Sequence, residues 1–271
     1  MKRTSWSSET LLVISMIIIA VPVIWLVITS FNAPREIISR GFEFSMSNYV
    51  RLFEGDSAIG AQIGNSLIIA VSTTVFTMAI AALAGYSLSS LGWSRTTTGI
   101  LLGISALIQL IPPMTLVPGL YVVLQQFGIL NSLPGLIILN VLFNLPFATL
   151  MLKVYFDALP DSIREAGLVD GASEQRVFWS LVLPLVKPGL AAVGIYVLIM
   201  AWNEFLMGLT MTTGGDQAPI TVGIASLVQP QAITYGPMAA LGSLTVVPII
   251  ILAIIANKQI VAGLTGGAVK G

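Results

Sequence analysis

GLYVVLQQFGILN, Gly119 to Asn131, is apolar enough to enter a bilayer but short for crossing one, and its reading decides the fold. A spanning helix needs about 20 predominantly apolar residues. This stretch has fewer and carries Gln125 and Gln126 in its interior. It is either a seventh crossing or a helix lying at the outer surface. The surrounding composition identifies the solvent. The 271-residue chain is 56% hydrophobic and 9% charged, with mean hydropathy +0.94. A soluble domain carries about a quarter charged residues, so there is too little polar surface here to cover a water-soluble globule. Six other windows are long and apolar: Leu11 to Phe31, Gly64 to Leu88, Gly99 to Val117, Leu133 to Leu152, Gly189 to Gly208 and Pro237 to Ala256. Pro112 and Pro113 break the third near its end. Backbone polar groups in hydrocarbon must be bonded within the protein, so helices are expected, and the alternating pattern of barrel strands is missing.

Charge chooses between six and seven crossings, because short cytoplasmic loops are enriched in Lys and Arg. With six spans and an internal N-terminus, the inside holds Lys2, Arg3, Arg95, Lys153, Arg164, Arg176, Lys187, Lys258 and Lys270. The outside holds Arg35, Arg40 and Arg51, nine against three. A seventh crossing inverts everything after residue 131 and gives three against nine. The expectation is an all-α integral membrane protein with six spans, both termini cytoplasmic, and a single membrane domain over residues 1–271. Lys2 and Arg3 ahead of the first window resemble the start of a signal peptide. The window is longer than the 7–15 apolar residues usual in a signal, which favours a retained span.

The most polar long stretch, REAGLVDGASEQRVFWSLVLPLVKP (Arg164 to Pro188), then falls in the cytoplasm between the fourth and fifth spans, within a loop of residues 156–188. Pro160 and Asp161 suit a helix start. Ile163, Ala166, Gly167 and Asp170 recur at helical spacing, and Gly171 can end the helix in the left-handed conformation. A second helix follows, with Val177, Phe178, Leu181 and Leu185 on one side. Pro184 and Pro188 bend the chain as it re-enters the membrane. The small residues Ala166, Gly167, Gly171 and Ala172 would let another protein's backbone approach. The plainer alternative is a solvated loop, although loops of this length are often functional.

This segment resembles the signature loop of the membrane subunits of bacterial ATP-binding-cassette importers. That pattern is Glu-Ala-Ala, three residues, Gly, nine residues, Ile, one residue, Leu-Pro. Here it reads Glu165-Ala166-Gly167, Gly171, Leu181 and Leu183-Pro184 at matching spacings, with Gly167 for Ala and Leu181 for Ile. The sequences DGAS (Asp170 to Ser173), AWNEF (Ala201 to Phe205) and VAGLTGGAVKG (Val261 to Gly271) are similar to the carbohydrate-uptake branch, the last to the second permease subunit of maltose-type transporters. The resemblance implies a type I importer permease fold in the bacterial inner membrane, with a coupling helix in the cytoplasmic loop. It also implies a second homologous permease subunit, two ATPase subunits and an extracytoplasmic substrate-binding protein. Glu165 would orient the loop, Gly171 would permit its turn, and the C-terminal tail would reach between the ATPases.

Other candidates lie inside or beside the spans. Glu204 is the only acid in a predicted span, and such residues are functional by default. It could contact substrate, sit at the outer interface, or order helix ends together with Asn203. Trp202 could stack on a sugar or anchor at the interface. Asn140 and Asn144 share one helix face and could line a pathway or hydrogen-bond a neighbouring helix. Zero histidines and zero cysteines leave no ordinary metal site, and zero net charge suggests no nucleic-acid partner. No GxxxxGK[ST] loop occurs, so ATP and magnesium are expected on partner subunits and this chain is expected not to be an enzyme. The rival reading is a stand-alone secondary transporter or channel, but ion-coupled carriers usually keep ionisable residues at mid-membrane, whereas this chain offers Glu204 near one edge and almost nothing else. A membrane-embedded enzyme would need acid-base groups that this chain does not offer.

Overall fold

The structure is a computed structural model that describes residues 6–32, 42–54, 58–229, 232–233 and 235–267. Lys2, Arg3, Arg35, Arg40 and Lys270 lie outside these, as does the end of the predicted C-terminal tail, and no side chain is described beyond residue 255. Among the described residues the protein is helical apart from a two-residue hairpin and an isolated bridge. The helices are α1 (Trp6–Ser30), α2 (Ser47–Phe53), α3 (Ile59–Ser90), α4 (Arg95–Leu110), α5 (Pro113–Gln126), α6 (Leu133–Asp157), α7 (Asp161–Val169), α8 (Glu174–Val177), α9 (Leu183–Leu185), α10 (Lys187–Trp202), α11 (Leu206–Met211), α12 (Ile220–Ser226) and α13 (Tyr235–Gly267). A π-helical turn, Phe178–Val182, joins α8 to α9, and strands β1 (Val228–Gln229) and β2 (Ala232–Ile233) pair antiparallel.

Four of these helices are long and apolar enough to cross a membrane alone. The count reaches six when two bent pairs, α4 with α5 and Glu174–Leu185 with α10, each make one span. The first pair bends by 99°. Its cause is legible: Pro112 and Pro113 cannot donate backbone hydrogen bonds, and Pro113 suits the first turn of a new helix. This corrects the Gly99 to Val117 window, which runs across the break. The opening stretch GLYVVLQQFGILN is neither a separate crossing nor a separate surface helix. It is the continuation of α5, closed by Phe127 and Gly128. The Gly189 to Gly208 window is corrected too. α10 stops at Trp202, and Asn203 to Phe205 separate it from α11. The 16 residues of α10 rise about 24 Å, short of the about 30 Å of a hydrocarbon core. A second piece is needed to complete that crossing.

The chain divides into two compact units, Met1–Gly60 with Gly223–Pro248, and Ala61–Val222 with Ile249–Gly271. In the first, the chain folds back over the end of α1. Asn48, fully buried on α2, donates to the carbonyls of Ser30 (3.0 Å) and Asn32 (2.8 Å). The first of those bonds satisfies an acceptor that the end of α1 leaves open. Phe31 stacks on Phe44 with centroids 5.6 Å apart. In the second unit, α6 packs against α4 and α10. α3 meets α6 almost backbone to backbone: a Cβ on Gly85 would stand 3.0 Å from the Lys153 nitrogen. One apolar cluster in this unit gathers Tyr86, Leu152, Phe156, Val177, Phe178, Val182 and Val197. Another gathers Ile69, Leu124, Leu136 and Met207.

Candidate functional site

The helix–turn–helix elbow read from the sequence is present. α7 begins after Pro160 and ends at Val169, and Gly171 takes φ +80°, the left-handed conformation that glycine adopts without steric penalty. Ser173 caps α8 by accepting from the Arg176 amide at 3.4 Å. The π turn has a local cause. In a plain α-helix the ring of Pro184 would press on the carbonyl of Ser180. The turn widens instead, and the Leu183 amide bonds to the carbonyl of Phe178, five residues back. After α9 the chain bends by 79° into α10.

The signature residues divide between two faces. Glu165, Ala166, Asp170, Gly171 and Pro184 are exposed. Val169 beside them is 87% exposed, and Trp179 is 61% exposed. Gly167 faces the other way, against the second limb of the elbow. A Cβ there would lie 2.7 Å from Leu181 Cδ1 and 3.0 Å from Val177 Cγ2. Ala172 and Leu183 are partly buried against the apolar cluster. The expectation that all four small residues open the surface is therefore corrected. Gly167 closes the elbow internally, and Ala172 helps pack it.

Three residues that the sequence reading did not name as site candidates hold this arrangement. The Arg164 guanidinium donates to both oxygens of Glu174, Nε to Oε1 and Nη2 to Oε2, each at 2.8 Å. Such a bidentate pair fixes geometry as well as charge. The Tyr86 hydroxyl on α3 donates to the same Glu174 Oε1. The Tyr86 ring packs on Phe178 (4.9 Å between centroids) and edge-on to Phe156 (5.7 Å). The hydrogen bond from Arg164 holds the Glu174 carboxyl below its ordinary pKa, and Glu174 in turn raises that of Arg164. Arg164 and Glu174 flank the glycine turn on two helical segments, a signal available in sequence. Tyr86, 88 residues away from Glu174, carried none.

The second set of candidates lies on α6, at the end of α10 and in the turn into α11. Asn140 is buried and donates to the Leu136 carbonyl at 2.9 Å, and Asn144 donates to the Asn140 carbonyl at 2.8 Å. Both therefore bond back to their own helix. Trp202 is buried, 5% exposed. Asn203 is exposed and donates to the Ile199 carbonyl at 2.8 Å. The Glu204 carboxylate accepts from the Met207 (2.6 Å) and Gly208 (3.0 Å) amides at the start of α11. Negative charge is favourable at that helix end. Of the roles considered for Glu204, ordering the helix end is the one its bonds perform.

A third arrangement was not foreseen. The connection between α11 and α12 is held by polar side chains from the start of α3. Gln62 Nε2 donates to the Gly215 carbonyl (3.1 Å), and Asn65 Nδ2 donates to those of Asp216 (2.7 Å) and Ala218 (3.0 Å). Ser66 Oγ accepts from the Ile220 amide at 2.8 Å. Asn131, the last residue of the opening stretch, adopts φ 54° and accepts from the Thr213 amide at 3.0 Å.

Residues 78–265 match the family described as the binding-protein-dependent transport system inner membrane component. The chain belongs to this family. The match takes in Tyr86, the whole elbow and every pathway candidate, and the expected resemblance to importer permeases is borne out. The chain is 31% identical to the diacetylchitobiose uptake system permease protein NgcG of Streptomyces coelicolor, over 99% of this chain and 90% of that one. It is 32% identical to the trehalose transport system permease protein SugB of Mycobacterium tuberculosis, over 100% and 98%. The fold matches a chain of a bacterial ABC transporter involved in alginate import, with TM-score 0.77 at 17% identity, over 95% and 99% of the two chains. As a family member, the chain is an all-α, multi-pass inner-membrane permease component with the fold of an ABC importer.

Proposed function

We propose that this chain, as one membrane domain over residues 1–271, is one of two homologous, non-identical permease subunits of a carbohydrate importer powered by ATP hydrolysis on two separate ATPase subunits. The observation that carries this reading is the elbow. It is a short helix with an exposed face at Glu165, Ala166, Val169 and Asp170, braced from behind by Gly167, Arg164 and Glu174. A braced helix can pass on a rigid-body displacement from an ATPase to which it docks, whereas a solvated loop cannot. The lysine and arginine balance supports placing the elbow and both termini in the cytoplasm. ATP and magnesium then belong to the partner subunits. The connection between α11 and α12 faces outward, where a substrate-binding protein would deliver its sugar. The carbohydrate assignment draws on relatives whose names specify diacetylchitobiose and trehalose.

Reconstitution tests the proposal. The chain is purified with the subunits that accompany it, placed in liposomes, and assayed with labelled trehalose, maltose and diacetylchitobiose plus the binding protein. The expected result is sugar accumulation that requires ATP on the elbow side. Accumulation by the chain alone, driven by an ion gradient, would overturn the proposal in favour of a secondary transporter.

A further inference from the structure

Tyr86, Glu174 and Arg164 bring together three helices that the chain connects very differently. α7 follows α6 after a three-residue link, and α9 runs into α10 through Val186 alone. Covalent structure therefore already ties the elbow to α6 and α10. α3 has no such tie. It meets the elbow in the apolar cluster, where Ala81 and Ala82 join the Tyr86 ring, and through the Tyr86 hydroxyl on Glu174, the polar tie between them. Apolar contacts are non-directional and allow sliding. A hydrogen bond to a carboxylate that is itself held by a bidentate guanidinium fixes one position.

From this geometry we infer that Glu174 and Tyr86 are positioning residues that make α3 follow the elbow as one body. The inference rests on the importer reading above and adds the path by which displacement reaches α3. Three structural facts support it. Glu174 has both carboxylate oxygens engaged, so it cannot swing freely. Gly85, next to Tyr86, brings α3 against the α6 backbone at Leu152 and Lys153, so a push at Tyr86 meets a stiff helix pair. Phe156 and Phe178 hold the Tyr86 ring from two elements, which leaves its hydroxyl directed at Glu174.

The natural absence of cysteine allows a direct test in the complete transporter. Ser162→Cys on the exposed side of α7 and Ser90→Cys at the end of α3 accept paired spin labels. The expected wild-type result is a narrow distance distribution that does not shift when magnesium, ATP and vanadate are added. Tyr86→Phe keeps the ring packing and the Arg164–Glu174 pair but cuts the tie. In that variant the distribution should broaden at rest and shift with nucleotide. Uptake per ATP hydrolysed should fall by about fivefold or more, the low end of coupling between distinct sites. Glu174→Gln should do the same, and Arg164→Lys, which keeps charge but loses the fork, should fall between. A Tyr86→Phe distribution as narrow and nucleotide-insensitive as wild type would overturn the inference. A wild-type complex without ATP-driven uptake would instead sink the importer reading, and the resting width of the Tyr86→Phe distribution would still decide the tie.

Discussion

The elbow and the α11–α12 connection are both short polar passages between apolar helices, and they are held by opposite means. In the elbow, side chains bond side chains: Arg164 to Glu174 and Tyr86 to Glu174, over an aromatic cluster. In the α11–α12 connection, side chains bond backbone: Gln62 and Asn65 to carbonyls, Ser66 and Asn131 to amides. The first arrangement depends on the identity of every partner. The second fixes the path of residues 213–220 whatever side chains that segment carries.

The sharpest way to break this contrast is Asn65→Ala. It removes the donor from two carbonyls, one belonging to fully buried Ala218. An unsatisfied buried carbonyl costs about 1–3 kcal/mol, so a loss of about 3 kcal/mol is expected, read as a lower melting temperature and faster proteolysis within residues 212–218. Asp216→Asn in the same segment leaves those bonds in place and should be nearly silent. Gly167→Leu comes next. It forces a branched side chain against Leu181 and Val177, and overpacking of this kind costs about 2 kcal/mol. Melting should fall and the two limbs of the elbow should separate.

Glu174→Gln should cost about 1 kcal/mol, below the about 1.5–3 kcal/mol of a bond to a buried charged group, because the 33% exposure of that side chain screens the pair. Its pH signature has a definite sign. Arg164 depresses the folded pKa of Glu174, so the stabilisation is present above the carboxylate's unfolded pKa and is lost as pH falls through the folded value. Arg164 stays charged throughout, since Glu174 shifts its pKa upward. Melting curves should therefore be flat in this contribution at neutral pH and lose it only in acid, and the Gln variant should lack that acid step. Gly171→Ala should have an effect on stability of the same order. The added Cβ meets nothing within 4 Å, so only the left-handed backbone penalty of about 1–2 kcal/mol applies. A fall in uptake far beyond what that strain explains would mark Gly171 as part of the docking face.

Much of this molecule was legible because its signals are local. Pro112 and Pro113 announce a helix break, Gly171 announces a turn, and the glycine and Leu-Pro spacings place the elbow's two limbs. What stayed hidden depends on residues distant in the chain. Tyr86 sits in an apolar window with nothing nearby to name its partner, and Gln62 and Asn65 find acceptors about 150 residues later. Glu204 was found by its rarity, but its work at the start of α11 was obscured. Apolar residues continue on both sides of Asn203 and Glu204, so the window does not show that the backbone leaves the helix there. Gly167 was grouped with the outward small residues because composition does not say which way a helix is rotated.

The five-residue turn Phe178–Val182 sets an angular phase. It carries Val177, Phe178, Val182 and Val186 around the axis so that all four remain buried on either side of the widened loop. Each residue of an ordinary α-helix advances by about 100°. Deleting Ser180 would therefore swing Leu183, Val186 and the entry into α10 by that amount relative to the preceding limb. The wide turn acts as an indexing step between the elbow's first limb and the membrane helix, and the length of the chain there is as tightly constrained as its chemistry.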